Sequence, residues 1–399
     1  MRKIREILLA LLCLVFALAV AAACIWSREL RTLATVRQVG DNPYLYEMEY
    51  KASYDLDKVI EADIDSNQKL LQFVVSRLAK GLPVKVGGVK IGDGLSAESR
   101  QDGSVQDAAA PQQSPASGAG EHCTSFQAAS SDGGWFYGRN YDFFKNPSLV
   151  TVSRPKNGYA SLSVSDMSHF GYNLEKLPDS FVGKALALAA VYAPLDGVNE
   201  KGLCTSIMAL PKQASRQNTG KHVVGTTIIM RLWLDRCATV QEALDLLGTV
   251  DVRHDATSGS GYHYMVADAG GDCAVVEFDP NDGWKTMIVR KDPEKKYMLV
   301  TNHLLDPKYY TTEPDPAVGN PHSRSWWRYE TADAYLSERG GTLTADEALE
   351  CLSMVHWKDL KWEDGTVEDT QYTALYDQTK RTLKLRSWAD YENTIDFKL

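Results

Sequence analysis

The sequence predicts an α+β fold in which two β-sheets pack together with helices on their outer sides. Three observations carry that prediction. Beyond residue 122, strand-like segments come first, a helical pair interrupts them, strands resume, and helices return before a last hairpin. That order suits segregated sheets and helices better than a βαβ repeat. An apolar fraction of 44% is ample for a core. After residue 122 no linker-like stretch divides the chain, so 123–399 reads as one domain.

Met1 to Glu6 is basic on balance, and Ile7 to Trp26 carries no charge. At about 1.5 Å rise per residue such a run spans a bilayer, and its positive flank predicts the N-terminus inside and the remainder outside. Residues 1–26 therefore read as a signal anchor or as a cleaved signal peptide, because Ala19 to Ala23 offers small-residue cleavage sites. Lipid attachment at Cys24 is a third reading. The remainder is then membrane-anchored outside the cytoplasm, or secreted. Residues 27–92 read as a small folded region. Within it Tyr44 to Tyr54 alternates like a strand, and Asp65 to Lys80 places Leu70, Leu71, Phe73, Val74 and Leu78 on one side of a helix. Asp65 and Gln68 resemble its capping box, and Gly81 and Pro83 end it. Residues 93–122 are poor in apolar side chains and rich in Gly, Ser, Ala, Gln and Pro. They read as a flexible linker open to proteolysis.

The next stretch organises the chain. Thr124 to Ser130 alternates as a half-buried strand does, Ser131-Asp132-Gly133-Gly134 is a turn signal, and Trp135 to Asn140 returns. This hairpin begins at Cys123 and carries Arg139 and Asp142 at its far end, so folding back brings a thiol towards a charged pair. Leu195 to Val198 and Leu203 to Leu210 form a second hairpin across Asn199-Glu200-Lys201-Gly202. Thr226 to Cys237 is an apolar helix, and Thr239 with Glu242 opens the next as a capping box. Tyr262 to Ala267 pairs with Cys273 to Phe278, and Met298 to Thr301 is a buried-type strand ending at Asn302. Ser325 to Ser337 and Thr344 to Val355 are helices, the second with Thr344 and Glu347 as its box. Thr373 to Tyr376 and Thr382 to Trp388 close the chain.

Composition and motifs exclude several classes. A net charge of −9 without a basic stripe argues against a nucleic-acid partner. There is no CxxC pair, HExxH, P-loop or GxSxG, and the eight histidines are scattered, so no metal or cofactor is expected. Seven cysteines are too few for a disulfide scaffold in 399 residues.

A lone cysteine is usually a small buried apolar residue. Cys123 is set apart by the linker before it, the strand after it, and the Arg and Asp that return to it. A thiolate is a strong nucleophile near neutral pH, but no histidine is obviously placed to activate this one. Were the chain cut before Cys123, the freed α-amino group, with an ordinary pKa near ~8, could serve as base.

Cys123-Thr124-Ser125-Phe126 followed by Gly138-Arg139-Asn140-Tyr141-Asp142-Phe143 resembles the start of the N-terminal-nucleophile (Ntn) hydrolases of the choloylglycine hydrolase class. That class includes penicillin V acylases and the related acid ceramidases, all linear amide C–N hydrolases. Asp196 to Leu203 resembles its NEKGL turn, Val300-Thr301-Asn302 its strand-end asparagine, Ser323-Arg324 with Arg328 its late Ser-Arg segment, and Tyr372 to Leu399 its closing hairpin. The resemblance implies a four-layer αββα fold over 123–399. It also implies an amide hydrolase with no cofactor, acting on a small N-acyl substrate through a thioester and activated by cleavage before Cys123.

By the same resemblance Cys123 is the nucleophile, and Arg139 and Asp142 hold and polarise it. Asn199, through its backbone N–H, and Asn302, through its side-chain amide, supply oxyanion donors. Arg324 sits near the nucleophile, with Arg328 as its competitor. The long segment before Cys123 is more like ceramidase-type precursors, so the cleaved N-terminal segment is itself a candidate partner. Acyl transfer to an amine is the alternative chemistry, and a catalytically silent exported binding protein is the alternative class.

Overall fold

The computed structural model describes residues 2–80, 122–181, 183–211, 214–254, 260–310, 325–361 and 367–399. All of the expected linker except His122 lies outside the described residues. Ahead of Cys123 stand α1 (Arg2–Ile25), α2 (Ser27–Leu33), β1 (Arg37–Val39), β2 (Asn42–Tyr50), α3 (Leu56–Glu61) and α4 (Asn67–Ala79). Then come β3 (His122–Ser130), β4 (Trp135–Phe143), β5 (Ser148–Ser153), β6 (Ser161–Asp166), β7 (Asp196–Asn199), β8 (Cys204–Pro211) and β9 (His222–Gly225). The helical pair α5 (Ile228–Arg236) and α6 (Val240–Leu247) precedes β10 (Val250–Arg253), β11 (Ser260–Ala267), β12 (Cys273–Asp279), β13 (Lys285–Arg290) and β14 (Tyr297–Val300). Last are α7 (Ser325–Glu338), β15 (Thr342–Leu343), α8 (Ala345–Met354), β16 (Leu360–Lys361), β17 (Val367–Asp377), β18 (Thr382–Ser387) and β19 (Asp390–Lys398).

Two sheets face each other. The first runs β1-β2-β5-β6-β7-β8-β11-β12-β13, and the second runs β14-β3-β4-β17-β18-β19 with β15 beside β3 and β16 beside β17. β3 lies over β8, α5 and α6 cover the first sheet, and α7 and α8 cover the second. The result is the expected α+β arrangement of four layers. Alternation along the strands builds it. In β3, Phe126 and Ala128 join Leu336, Leu349 and Leu352 beneath the helices. Ser125, on the opposite face of the same strand, meets Ser206 of the facing sheet at 3.0 Å.

Local signals set several boundaries. The Thr239–Glu242 and Thr344–Glu347 capping boxes both form, and each such cap is worth about 1 kcal/mol. At α4 the cap is Ser66, whose hydroxyl accepts the Lys69 N–H, and not Asp65; the helix starts at Asn67. β3 starts one residue before Cys123, and β4 runs on to Phe143. A third closing strand, β19, follows the expected hairpin. Its mixed, largely half-exposed face is that of an edge strand, which carries a weak alternation signal. α1 forms over the uncharged N-terminal run. Among the described residues no helix is long and apolar enough to cross a membrane.

The segment ahead of the hairpin is part of the fold. β2 pairs in parallel with β5, from Leu45 opposite Ser148 to Tyr50 opposite Ser153. Leu33, Val36, Leu45, Met48 and Val59 are buried in the same core as the first sheet. Parallel pairing with buried side chains does not need a continuous chain to hold it. A specific protease site inserted between residues 100 and 110 tests this. After cutting, the fragment containing 27–80 should co-elute with 123–399 on size exclusion without denaturant. Separate elution would contradict the shared core.

Candidate active site

The β3–β4 hairpin sets the site by register: His122 lies opposite Asp142, Cys123 opposite Tyr141, and Ser125 opposite Arg139. The period of two sends Cys123 and Arg139 between the sheets and Asp142 towards the helix layer. Asn140, on the Asp142 side, donates to Leu352 O of α8 at 2.8 Å. Tyr137, on the Arg139 side, reaches Ser206 of β8.

Cys123 is 1% exposed, and its polar atoms are met from three directions. Arg139 Nη2 donates to its Sγ at 3.4 Å. Its backbone N–H donates to Asn302 Oδ1 at 2.7 Å. Arg328 Nη1 donates to its carbonyl oxygen, and also to Thr124 Oγ1 at 3.0 Å. Arg328 Nη2 donates to the same Asn302 Oδ1 at 2.7 Å, so cysteine, asparagine and arginine form one closed group. Asn302 sits just beyond β14. Ser325 Oγ accepts its N–H at 2.9 Å, and its Nδ2 donates to Ala209 O at 2.7 Å. A side-chain amide carries two N–H donors; one serves Ala209, and the other makes no hydrogen bond among the described residues.

Of the expected residues, Cys123, Arg139 and Asn302 come together directly. Arg328 is the arginine in the group; Arg324 lies outside the described residues. Asn199 is not brought into contact with Cys123 by any hydrogen bond of the described residues. Its backbone N–H, the expected oxyanion donor, goes to Leu203 O at 3.0 Å. Its side chain ties the turn to α5, donating to Leu234 O and Cys237 O at 3.0 and 2.7 Å. Asparagine suits that turn because its side chain accepts backbone N–H groups two and four residues on.

Electrostatics explain why the site needs more residues than the motif supplies. Arg139 is fully buried, and its Nε lies 2.9 Å from Asp196 Oδ2, also fully buried. Asp196 in turn accepts from the hydroxyls of Tyr372 and Tyr376 on β17. Burial pushes the Asp196 carboxyl up, against Arg139 and the two hydroxyls. For Arg139 burial pulls down, but Cys123, Tyr372 and Asp196 together hold it above its ordinary value, so it stays cationic beside the sulfur. A cation there favours the thiolate, and stripping one partner from such a buried pair typically costs about 3–5 kcal/mol. Asp196 and the tyrosines escape sequence reading because an acid in a strand before a turn looks ordinary; only the facing arginine gives it meaning.

Asp142 sits on the other side of β4. Its Oδ1 accepts from Thr370 Oγ1 at 2.6 Å, and its Oδ2 has no hydrogen-bond partner among the described residues. Burial pushes its carboxyl from 3.8 to about 7, outweighing Arg328, Thr370 and Arg139, which pull the other way. Burial likewise lowers Arg328. His122 is buried too; its Nε2 lies 3.8 Å from Glu368 Oε2, and its ring packs on Trp357. The bond from His122 to Cys123 is thus inside a paired strand. A cavity of about 600 Å³ elsewhere, bordered by α2, α4 and Tyr192, includes none of these residues in its lining.

The family model for acyl-coenzyme A:6-aminopenicillanic acid acyl-transferase matches residues 189–390, half of the chain, and the chain belongs to that family. That span holds Asp196, Asn302 and Arg328; Cys123, Arg139 and Asp142 precede it. A variant of conjugated bile acid hydrolase from Clostridium perfringens has a similar structure, with a TM-score of 0.50 and 16% identity over 69% of this chain and 92% of that one. Penicillin V acylase from Agrobacterium tumefaciens gives a TM-score of 0.49 and 19% identity over 69% and 86%. No curated protein matches the chain. The resemblance to Ntn linear amide hydrolases is borne out, and the bile acid hydrolase likeness carries the fold.

Asp142 makes a measurable prediction about the uncut chain. Its folded pKa is raised above its unfolded one, so its contribution to stability is full below pH 3.8 and is lost as pH rises through about 7. Asp142→Asn stays neutral throughout. The difference in Tm between the native chain and Asp142→Asn should therefore fall as pH is raised from 4 to 7. A difference that grows instead would mean that the site stabilises the carboxylate.

Proposed function

We propose that this chain hydrolyses a linear amide C–N bond in a small N-acyl compound, with Cys123 as its N-terminal nucleophile. The observation that carries the reading is the convergence on Cys123 of Arg139 at the sulfur, Asn302 at the nitrogen and Arg328 at the carbonyl. With the chain cut before Cys123, the nitrogen on Asn302 Oδ1 is a free amine. It takes the thiol proton as the sulfur attacks the substrate carbonyl. The oxyanion is met by the second N–H of Asn302 Nδ2. The C–N bond breaks, the leaving amine takes the proton, and a thioester to Cys123 is left. Water then attacks the thioester, the amine takes a proton from it, and the acid and the thiol are released. Preorganised donors of this kind are each worth ~10²–10³ in rate.

Cleavage before Cys123 is best assigned to the chain itself. His122 and Cys123 are both buried within β3, where an outside protease cannot seat the bond. The thiol has only to reach the carbonyl of the preceding residue. The segment bearing β2 then stays as a bound small subunit. We further propose that α1 anchors or exports the protein, on the strength of the uncharged run Ile7 to Trp26.

The matched family is named for an acyl transfer, so an amine in place of water as acceptor is the second reading. Purified protein screened against N-acyl compounds should release the free acid. Asn302→Ala should lose about 10²-fold or more in kcat/KM, and Asp245→Asn, on an exposed face of α6, should stay within about two-fold. Equal behaviour of the two variants would rule out the site. Acylated amine in place of free acid, when amines are added, would turn the assignment to transfer.

A further inference from the structure

A second polar group, which the chemistry above does not use, lies behind Asn302. His263 on β11 and Glu277 on β12 are both fully buried. His263 Nε2 is 2.8 Å from Thr301 O, and its Nδ1 is 3.1 Å from Glu277 Oε1. Glu277 also accepts the Leu305 N–H on Oε1 at 2.8 Å and the Asp306 N–H on Oε2 at 2.9 Å. A carbonyl only accepts, so Nε2 carries a hydrogen. Nδ1 then faces a carboxyl oxygen, and two bare acceptors do not sit 3.1 Å apart in a dry interior, so a proton lies on the line between them.

These contacts bracket one residue. His263 holds the carbonyl just before Asn302, and Glu277 holds two N–H groups just after it. Ser325 fixes the Asn302 N–H from α7. We propose that His263 and Glu277 are the positioning pair of the reaction. They clamp both arms of the turn, so that Asn302 keeps Oδ1 on the Cys123 nitrogen and Nδ2 towards the oxyanion. The proposal rests on the amide-hydrolase reading for its catalytic consequence, and on the turn geometry for its structural one. Displacement of a catalytic group by about 1 Å can cost ~10²-fold in rate.

The test uses the full chain with His263→Leu and His263→Gln. Leucine removes both contacts; glutamine keeps an amide N–H within reach of Thr301 O. Amide hydrogen exchange over residues 301–306, read by mass spectrometry, needs no activity. It should quicken about ten-fold or more in His263→Leu and much less in His263→Gln; unchanged exchange in His263→Leu overturns the clamp. On an N-acyl substrate, kcat should fall about 10–100-fold in His263→Leu with KM within about three-fold, and His263→Gln should recover most of it. Equal losses in both variants, or none, would overturn the positioning role. If the native chain cleaves no amide, the proposed function falls, and the exchange result still decides the clamp.

Discussion

The position of Cys123 depends on burying charge between two sheets. Arg139 has no access to water, so it is tolerable there only with a partner. That partner, Asp196, comes from the facing sheet, and Asp196 needs the hydroxyls of Tyr372 and Tyr376 from a third strand. Arg328 comes from α7 and is equally buried, so it needs acceptors; it finds them in the Cys123 carbonyl and Asn302 Oδ1. Each buried charge recruits the next element. The sulfur, the nitrogen and the carbonyl of one residue are thereby fixed by parts of the chain that are far apart in sequence.

The same packing bears on how the chain becomes active. Cys123 is the second residue of a paired strand and is buried, and His122 before it is buried too, at 7% exposure against 1%. Yet the strands that precede it, β1 and β2, extend the sheet that supplies Asp196. The fold therefore forms with the upstream segment in place. Cleavage would change the ends of two chains without requiring their separation. On this view the upstream segment is structural.

Much of this was legible in the sequence, and the losses have physical reasons. The hairpin was plain because a turn of Asp-Gly-Gly separates two alternating runs. Both Thr-x-x-Glu caps were plain because they depend on neighbours only. The cap of α4 was misplaced by one residue, because Asp65 and Ser66 are both good caps and only tertiary packing chooses. Asn199 was assigned by motif, but its N–H and Oδ1 serve its own turn and its Nδ2 ties that turn to α5. Asp196, Thr370 and Glu277 could not be seen, because an acid or hydroxyl in a strand gains its role from a partner across a sheet or between sheets. Arg328 stood as a competitor to Arg324, and no local pattern separates two arginines four residues apart in the sequence.

The central claim is that Cys123 acts as a chain terminus made by the protein itself, and the mass of the purified polypeptides tests it most directly. The account predicts a large fragment whose N-terminal sequence is Cys-Thr-Ser-Phe, with a smaller fragment bound to it, and a single uncut chain for Cys123→Ala. An active protein whose Cys123 stays within an intact peptide bond would contradict it.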